Sequence, residues 1–263
     1  MVNFQYKAHY GLEDFRTIMA LLRGEGGCPW DRVQTHESIR RDLLEEAYET
    51  VTAIDSGDLD NLREELGDLQ MQVLFHARIE EEKGNFTFDD VCDEACKKLI
   101  RRHPHVFGEM DLSTPEEVLL TWDEVKREEK AQKSTAQAMD GVAKSLPALW
   151  RAEKIQKKAA KDGFDWPDWH GARDKLTEEL GELDEAIAAG ERVEEELGDV
   201  LAAAVNLARL LKIGPERALN GSSDRFVRRY TRMERFAAEG GQALSALRLD
   251  EQDALWQRAK EEE

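Results

Sequence analysis

The sequence predicts an all-α protein made of two duplicated helical bundles. Leu, Ala, Glu, Lys and Arg dominate the 263 residues, whereas the β-branched and aromatic residues that favour strands are sparse. The phrase EELGD occurs at residues 64–68 and again at residues 195–199. So long a period does not fit a solenoid and is typical of a duplicated domain. The 41% of apolar residues can supply a sizeable core.

Two successive helices are predicted around the first EELGD. The earlier helix has an apolar stripe at helical spacing, formed by Leu44, Tyr48 and Val51. The later helix has a stripe of the same kind, formed by Leu62, Leu66, Leu69 and Val73. Gly57 and Asp58 lie between them and predict a turn followed by an N-cap. Each half is therefore expected to be a short antiparallel bundle.

A further helix is predicted to begin near Pro115. The stretch Thr114-Pro115-Glu116-Glu117 has the pattern of a capping box with proline at the first helical position. This helix would include Trp122.

The two halves repeat the same order of parts. Glu46 aligns with Glu179, 133 residues later, whereas Asp68 aligns with Asp199, 131 residues later, so an indel falls between the two helices. A polar stretch around residues 130–145 ends at Pro147 and predicts a boundary between domains 1–135 and 136–263. Alternatively, the halves pack as one body that imitates a homodimer.

Composition narrows the classes of function. A net charge of -19 argues against non-specific binding of nucleic acid, because that binding needs Lys and Arg to neutralise phosphates. Three cysteines, Cys28, Cys92 and Cys96, supply neither a disulfide framework nor a zinc-thiolate site. The N-terminal stretch has no apolar signal region, and LAAAVNLARLL is too short to span a bilayer. A soluble cytoplasmic protein without a membrane partner is expected.

Carboxylates are paired along both repeated helices. Glu46 and Glu49 are three residues apart on one helix, and residues at that spacing share one side. Glu65 and Asp68 have the same spacing on the next helix. Four carboxylates gathered between two helices either protonate or recruit a cation, and ligands that are all oxygens suit Mg²⁺ or Mn²⁺. The second half supplies the equivalent set, Glu179, Glu182, Glu196 and Asp199.

These acids have two other interpretations, as solvated helix faces or as ligands of a di-iron centre. They can be solvated helix faces, since 35% of the chain is charged, and for any single Glu that interpretation is favoured. For the duplicated set it is disfavoured, because EExxE followed by ExxD returns in both halves while most surface positions between them differ. A di-iron bundle requires Glu-x-x-His, and none of the six histidines has a Glu three residues before it. The sequence therefore favours magnesium.

Basic and aromatic residues follow each carboxylate set at matching positions. The bases either bind phosphates or form ordinary surface ion pairs. The tryptophans either stack on a nucleobase or anchor core helices. Together with a metal they indicate a nucleoside triphosphate site, and no GxxxxGK(S/T) or GxGxxG loop is present. The residues are Lys98, Arg101, Arg102 and Trp122 in the first half, and Arg225, Arg228, Arg229 and Trp256 in the second.

The sequence closely resembles the MazG family, nucleoside triphosphate pyrophosphohydrolases of the all-α NTP pyrophosphatase superfamily, over nearly the whole chain. The most specific stretches are GCPWDRVQTHESI, LLEEAYE, LREELGDLQMQVLFHA, RRHPHVF, SLPAL, IQKKAAKDGFDW and EELGDVLAAAVNLAR. The resemblance implies a tandem-domain helical protein that forms a homodimer. It also implies Mg²⁺-dependent hydrolysis of NTPs and dNTPs, with broad base tolerance, to the monophosphate and pyrophosphate.

The resemblance also implies the roles of individual residues. The metal ligands would be Glu46, Glu49, Glu65 and Asp68 in the first site, and Glu179, Glu182, Glu196 and Asp199 in the second, which the family uses as its main catalytic site. The basic helix departs from the family, because Ser223 stands in place of the usual Asn, and Cys96 occupies the equivalent place in the first half. Gly221 also falls where an unbroken helix is expected. Altered substrate contacts in the second site are the expected result.

A mechanism follows as a hypothesis. Mg²⁺ held by the carboxylates would bridge the triphosphate and activate a water for in-line attack, with Glu45 or Glu178 as candidate proton acceptor. Basic residues would neutralise the charge that develops on the leaving pyrophosphate. The alternative is a nucleotide-sensing or scaffold protein, which would bind nucleotide and metal without turnover.

Overall fold

The computed structural model describes residues 4–129 and 134–262, and these form two compact units that meet at the bond between Lys126 and Arg127. Every regular element in the described residues is helical, with no strand among them. The predicted all-α fold is therefore confirmed. The proposed domains 1–135 and 136–263 stay a prediction, and residues 130–133 of the expected boundary region lie outside the described residues.

The first unit is built around a helical hairpin. Helices α3 and α4 pack along each other, α1 and α5 pack on α4, and α7 continues past the boundary between the units. A small core of Met19, Ile39, Phe75 and Ile79 is buried against α4. The helices of this part are α1 (Leu12–Arg23), α2 (Pro29–Val33), α3 (Arg40–Ser56), α4 (Leu59–Glu82), α5 (Phe88–Arg102), α6 (Pro104–Phe107) and α7 (Pro115–Glu129).

The helix ends of the first unit follow the sequence signals. Gly57 ends α3 in the left-handed conformation, with φ 71°, which glycine adopts without a steric penalty. The Asp58 side chain then accepts hydrogen bonds from the Asp60 and Asn61 backbone amides, both at 3.1 Å. At α7, the Thr114 hydroxyl and the Glu117 carboxylate cap each other's backbone amides. The predicted turn and the predicted capping box are both confirmed.

The second unit repeats the hairpin with α10 and α11. Helix α9 packs on α11, where the Gln156 side chain donates to the Ala202 carbonyl at 2.9 Å. The buried core lies between α12 and α13 and includes Met233, Phe236 and Ala259. The elements are α8 (Thr135–Asp140), α9 (Ala148–Lys161), α10 (Trp169–Ala189), α11 (Val193–Leu210), α12 (Pro215–Glu239), a 3₁₀ turn (Leu244–Ala246) and α13 (Leu249–Glu261).

The indel between the two halves falls in the hairpin turn. Helix α11 begins at Val193, which aligns with Leu62 inside α4, so α11 lacks the first turn that α4 has. Arg192 precedes α11 with φ 59°, a left-handed conformation that residues other than glycine seldom adopt. This backbone places the Arg192 side chain beside the first glutamates of α11.

Gly221 and Ser223, the two departures in the basic helix, do not interrupt it. Helix α12 runs without a break through Gly221, and the Ser223 hydroxyl donates to the Leu219 carbonyl at 3.1 Å.

The apolar stripe of α3 remains uncovered, because Leu44, Tyr48 and Val51 are 49–51% exposed. Among the described residues, no helix combines the length and the apolar character needed to cross a bilayer.

Two candidate metal sites

The first site lies between α3 and α4. Glu46 and Glu49 come from α3 and Glu65 comes from α4, and one carboxylate oxygen of each lies within 4.8 Å of the others. Glu46 and Glu65 are half-buried, whereas Glu49 is exposed. The hairpin turn places the EExxE motif of α3 beside the ExxD motif of α4, so carboxylates that are distant in sequence lie close together.

Electrostatic repulsion is visible in this first cluster. The pKa of Glu46 is raised above its usual value by partial burial and by the charges of three nearby carboxylates, Asp68, Glu49 and Glu65. The pKa of Glu65 is raised by partial burial and then by the charges of Glu49, Asp68 and Glu64. A group of carboxylates in this condition gains from any cation that neutralises it.

Two buried polar residues support the first cluster. The Thr50 hydroxyl donates to the Glu46 carbonyl at 2.8 Å and also reaches the Glu65 carbonyl at 3.4 Å. This contact ties α3 to α4 behind the carboxylates. Gln72 is 6% exposed, and its side chain lies close enough to Glu46 to lower the pKa of that carboxylate, while in the described part of the chain its Oε1 atom has no hydrogen-bond partner.

The second site has the same position between α10 and α11. Oxygens of Glu179, Glu196 and Asp199 lie within 4.8 Å of one another. Here the two glutamates are buried, with Glu179 7% and Glu196 5% exposed, and Asp199 is exposed. Buried carboxylates need a partner charge to remain ionised.

Two cations supply that partner charge in the second site. Lys175 Nζ lies 2.7 Å from Glu178 Oε1 and 2.9 Å from Glu179 Oε1. Arg192 donates to Glu196 and, at 3.0 Å, to Glu195 Oε2. The hydrogen bonds from Lys175 to Glu178 and Glu179 raise the pKa of Lys175, so its side chain stays charged.

The donor sets of both sites fit a hard divalent cation. Three oxygens within 4.8 Å can move onto one ion, and carboxylates are the preferred ligands of Mg²⁺. In the first site, the unpartnered Oε1 of Gln72 offers a further oxygen next to Glu46. The residues therefore suit the cation that the sequence predicted.

The fourth predicted ligand of each site lies outside the 4.8 Å group. Asp68 is half-buried and close enough for its charge to raise the pKa of Glu46. Lys175 lowers the pKa of Glu182, but burial and the charges of nearby glutamates raise it above its usual value. Both residues are thus at the edge of their clusters.

The two candidate proton acceptors are exposed and differ in their contacts. Glu45 lines a shallow depression on α3 together with Arg41, Tyr48 and Glu49. Glu178 is bonded to Lys175 instead. Their catalytic role stays a prediction.

The predicted bases and tryptophans form the same contact in both units. The Arg102 guanidinium lies 5.8 Å from the Trp122 ring centre, and Arg229 lies 5.7 Å from that of Trp256. The ring of His103 meets Trp122 edge-on, whereas Phe226 tilts against Trp256. Both tryptophans are half-buried, and Trp256 also packs on the core of its unit. The other predicted bases, Lys98, Arg101, Arg225 and Arg228, are exposed on α5 and α12.

Sequence reasoning missed four residues that shape the sites. Lys175 and Arg192 each stand four residues before a predicted ligand, Glu179 and Glu196, and that spacing could have indicated them. Thr50 and Gln72 left no such signal, because a hydroxyl bond to backbone and a buried amide depend on how two helices pack.

Comparison with known proteins agrees with the duplication. A family model described as the MazG nucleotide pyrophosphohydrolase domain matches residues 34–107 and again residues 170–233. The nucleoside triphosphate pyrophosphohydrolase of Escherichia coli strain K12 is 44% identical over 252 residues, which cover 94% of this chain and 96% of that protein.

Two further similarities involve Thermotoga maritima. Its nucleoside triphosphate pyrophosphohydrolase/pyrophosphatase MazG is 43% identical over 248 residues, covering 94% of this chain and 95% of that protein. The crystal structure of a MazG-related protein from the same organism is 28% identical, covers 44% of this chain and 99% of that chain, and has a TM-score of 0.38. The two family matches and the full-length relatives confirm the resemblance in the sequence motifs, and this chain belongs to the MazG nucleotide pyrophosphohydrolase family.

Proposed function

We propose that this protein hydrolyses nucleoside triphosphates, both NTPs and dNTPs with broad base tolerance, to the monophosphate and pyrophosphate in a Mg²⁺-dependent reaction. Family membership and two relatives over 94% of the chain, both named as nucleoside triphosphate pyrophosphohydrolases, give the reaction. The observation that carries the metal dependence is the pair of carboxylate clusters at equivalent places in the two units.

The cation would be held by carboxylates from two helices in each unit. When bound, Mg²⁺ would supply Lewis-acid chemistry, which offsets negative charge on phosphate and makes a water molecule more acidic. The ligands are Glu46, Glu49, Glu65 and Asp68 in the first site, and Glu179, Glu182, Glu196 and Asp199 in the second. Mn²⁺ has the same ligand preference and would substitute for Mg²⁺.

Lys175 and Arg192 suit the second site for a triphosphate. In the absence of ligand they neutralise Glu179 and Glu196. Once those carboxylates held a cation, the Lys175 and Arg192 side chains would be available to donate to phosphate oxygens. The second site is thereby the better candidate for catalysis.

The remaining predicted residues contribute binding and proton transfer. Arg225, Arg228 and Arg229 would neutralise the leaving pyrophosphate, as Lys98, Arg101 and Arg102 would in the first unit. Trp256 and Trp122, each beside one of these arginines, would stack on a nucleobase of any identity. Glu178 would accept the proton of the attacking water once phosphate oxygens have drawn Lys175 away from it, with Glu45 as its equivalent.

A homodimer is the proposed assembly. Leu44, Tyr48 and Val51 are half-exposed along one face of α3, and apolar residues at helical spacing are commonly covered by a partner. The second unit has Thr177, Gly181 and Asp184 at the aligned positions, so the face of α3 is the more apolar of the two.

The test is Mg²⁺-dependent release of pyrophosphate from a panel of NTPs and dNTPs. Removing a ligand of the working site should lower kcat by about 100-fold or more, because the loss falls on the reacting centre. Glu179→Ala and Glu46→Ala are compared with Glu234→Ala, which removes an exposed carboxylate of α12 outside both clusters.

Each outcome assigns a role. Loss in Glu179→Ala alone identifies the second unit as the enzyme, and loss in both variants identifies two coupled sites. Saturable nucleotide binding by the unaltered protein without pyrophosphate release, with or without Mg²⁺, would instead support a nucleotide sensor and overturn the proposal.

A further inference from the structure

The two carboxylate clusters differ in the charges that surround them. In the second unit, Lys175 and Arg192 pair with the buried glutamates. By the same alignment, Asp42 and Asn61 stand at those two positions in the first unit. One site therefore has its own cations, whereas the first unit has no cation at either aligned position.

The first cluster also has an oxygen that the second lacks. Gln72 is 6% exposed and lies close enough to Glu46 to lower the pKa of that carboxylate, yet among the described residues its Oε1 atom has no hydrogen-bond partner. A buried amide oxygen without a partner is costly, and such oxygens are good ligands for hard divalent cations. The aligned residue of the second unit is Ala203, which offers no ligand.

These differences predict different binding of a bare divalent cation. A cation entering the first cluster neutralises three carboxylates that lie together, Glu46, Glu49 and Glu65, and among the described residues it displaces no ion pair. A cation entering the second cluster has to displace Lys175 from the buried Glu179 and Arg192 from the buried Glu196, which leaves them only the exposed Glu178 and Glu195. An incoming polyanion gives those side chains a further partner and so offsets the loss.

We propose that the first cluster, with Gln72 as an added ligand, binds a divalent cation without nucleotide, whereas the second binds one only together with a triphosphate. This inference rests on the proposed metal sites. It assigns Gln72 as a metal ligand in the first unit, and it assigns Lys175 and Arg192 as the residues that keep bare metal out of the second.

The test is a titration of the whole 263-residue chain with Mn²⁺ in the absence of nucleotide. Electron paramagnetic resonance measures the free Mn²⁺ at each step and so gives the number of ions bound per chain. One tight ion per chain is expected. Glu46→Gln should abolish it and Glu179→Gln should leave it in place. Gln72→Ala, which copies the second unit, should weaken it by about tenfold or more.

Exchange of the charges tests the same idea in the opposite direction. Lys175→Met together with Arg192→Met should add a second tight ion per chain. Asp42→Lys, which places a cation four residues before Glu46, should weaken the first ion, whereas Asp55→Lys makes the same charge change at the far end of α3 and should not.

The outcomes separate this inference from the proposed reaction. Two tight ions in the unaltered protein, none, or one that Glu179→Gln removes would each overturn the inference, while Mg²⁺-dependent turnover would still support the reaction. Metal-independent turnover would overturn the reaction instead. Circular dichroism of each variant checks that its helices are intact. Because misfolding would remove a binding site, it would not explain the gain of an ion in the variant with both Lys175→Met and Arg192→Met.

Discussion

Equivalent glutamates have opposite electrostatic surroundings in the two units. Glu46 is surrounded by carboxylates that raise its pKa, whereas Glu179 is paired with Lys175 at 2.9 Å. Without metal, the charge on Glu46 therefore opposes folding and the charge on Glu179 favours it. A residue retained at a destabilising position is typical of a binding site.

Substitution of these two glutamates should shift stability in opposite directions. In metal-free buffer at neutral pH, Glu46→Gln should raise the melting temperature, while Glu179→Gln should lower it because Lys175 then keeps only the exposed Glu178 as an ionic partner. Calorimetric unfolding measures both. The gain in Glu46→Gln should vanish below the usual Glu pKa of about 4.3, since a raised folded pKa makes the native protein protonated there. A gain that persisted at low pH would contradict the electrostatic cause.

Thr50 should act on the geometry of the first site through its hydroxyl alone. Thr50→Val keeps the shape but removes the donor to the Glu46 and Glu65 carbonyls, and about 1 kcal/mol of stability should be lost. Thr52→Val is the matched control, because Thr52 bonds only the Tyr48 carbonyl within its own helix. Urea unfolding that showed equal losses in both variants would contradict a role between α3 and α4.

At the scale of elements, the C-terminal half of α4 holds the segment that precedes α3. His36 Nε2 lies 2.7 Å from Glu80 Oε1, and His36 Nδ1 lies 2.7 Å from His76 Nδ1. The buried Arg23 side chain meanwhile bonds Glu82 and the Asp31 carbonyl. Because these contacts fix the segment, they set where α3, with its two proposed metal ligands, begins.

Glu80 gives this arrangement a defined pH dependence. Hydrogen bonds from Lys83, Asn85 and His36 lower its pKa to about 2. A depressed pKa contributes stability that is present above the unfolded value, near 4.3, and is lost as the pH falls towards 2. Glu80→Gln should therefore be less stable than the unaltered protein at neutral pH, and the difference should close across that acidic range. Melting temperatures between pH 6 and pH 3 test this, and a constant difference would contradict it.

Local patterns in the sequence were enough to predict several helix ends and the two carboxylate clusters. The hairpin turn at Gly57, the Asp58 cap and the Thr114 capping box depend on neighbouring residues, so they could be predicted. The carboxylate clusters could also be predicted, because a repeated spacing on two helices joined by a short turn leaves few ways to pair them.

Other features depend on packing and could not be predicted. The apolar spacing of α3 indicates a helix face, yet it does not reveal that Tyr48 stays exposed. The left-handed backbone of Arg192 results from the two-residue difference in the turn, and its pairing with Glu196 follows from that backbone. The unpartnered amide of Gln72 depends on the exact approach of α3 to α4.

At the scale of the whole molecule, the exposed face of α3 should decide assembly. Val51→Asp places at this face the residue that the second unit has at the aligned position, Asp184. A charge in the middle of an apolar contact should convert the proposed dimer to a monomer, as measured by light scattering. Ile187→Asp, an equal change at an exposed residue of α10, should leave the mass unchanged. A dimer that survived Val51→Asp would contradict the proposed interface.

The separate cores have a consequence for how this protein can evolve. Met19, Ile39, Phe75 and Ile79 form the core of one unit, and Met233, Phe236 and Ala259 form the core of the other, so each copy has its own buried residues on which substitutions can act. Natural selection can therefore act on the two copies almost as on two genes. The copies differ at three aligned positions, where Asp42 stands for Lys175, Asn61 for Arg192 and Gln72 for Ala203, and under the inference drawn above these differences would let each copy bind its cation under different conditions.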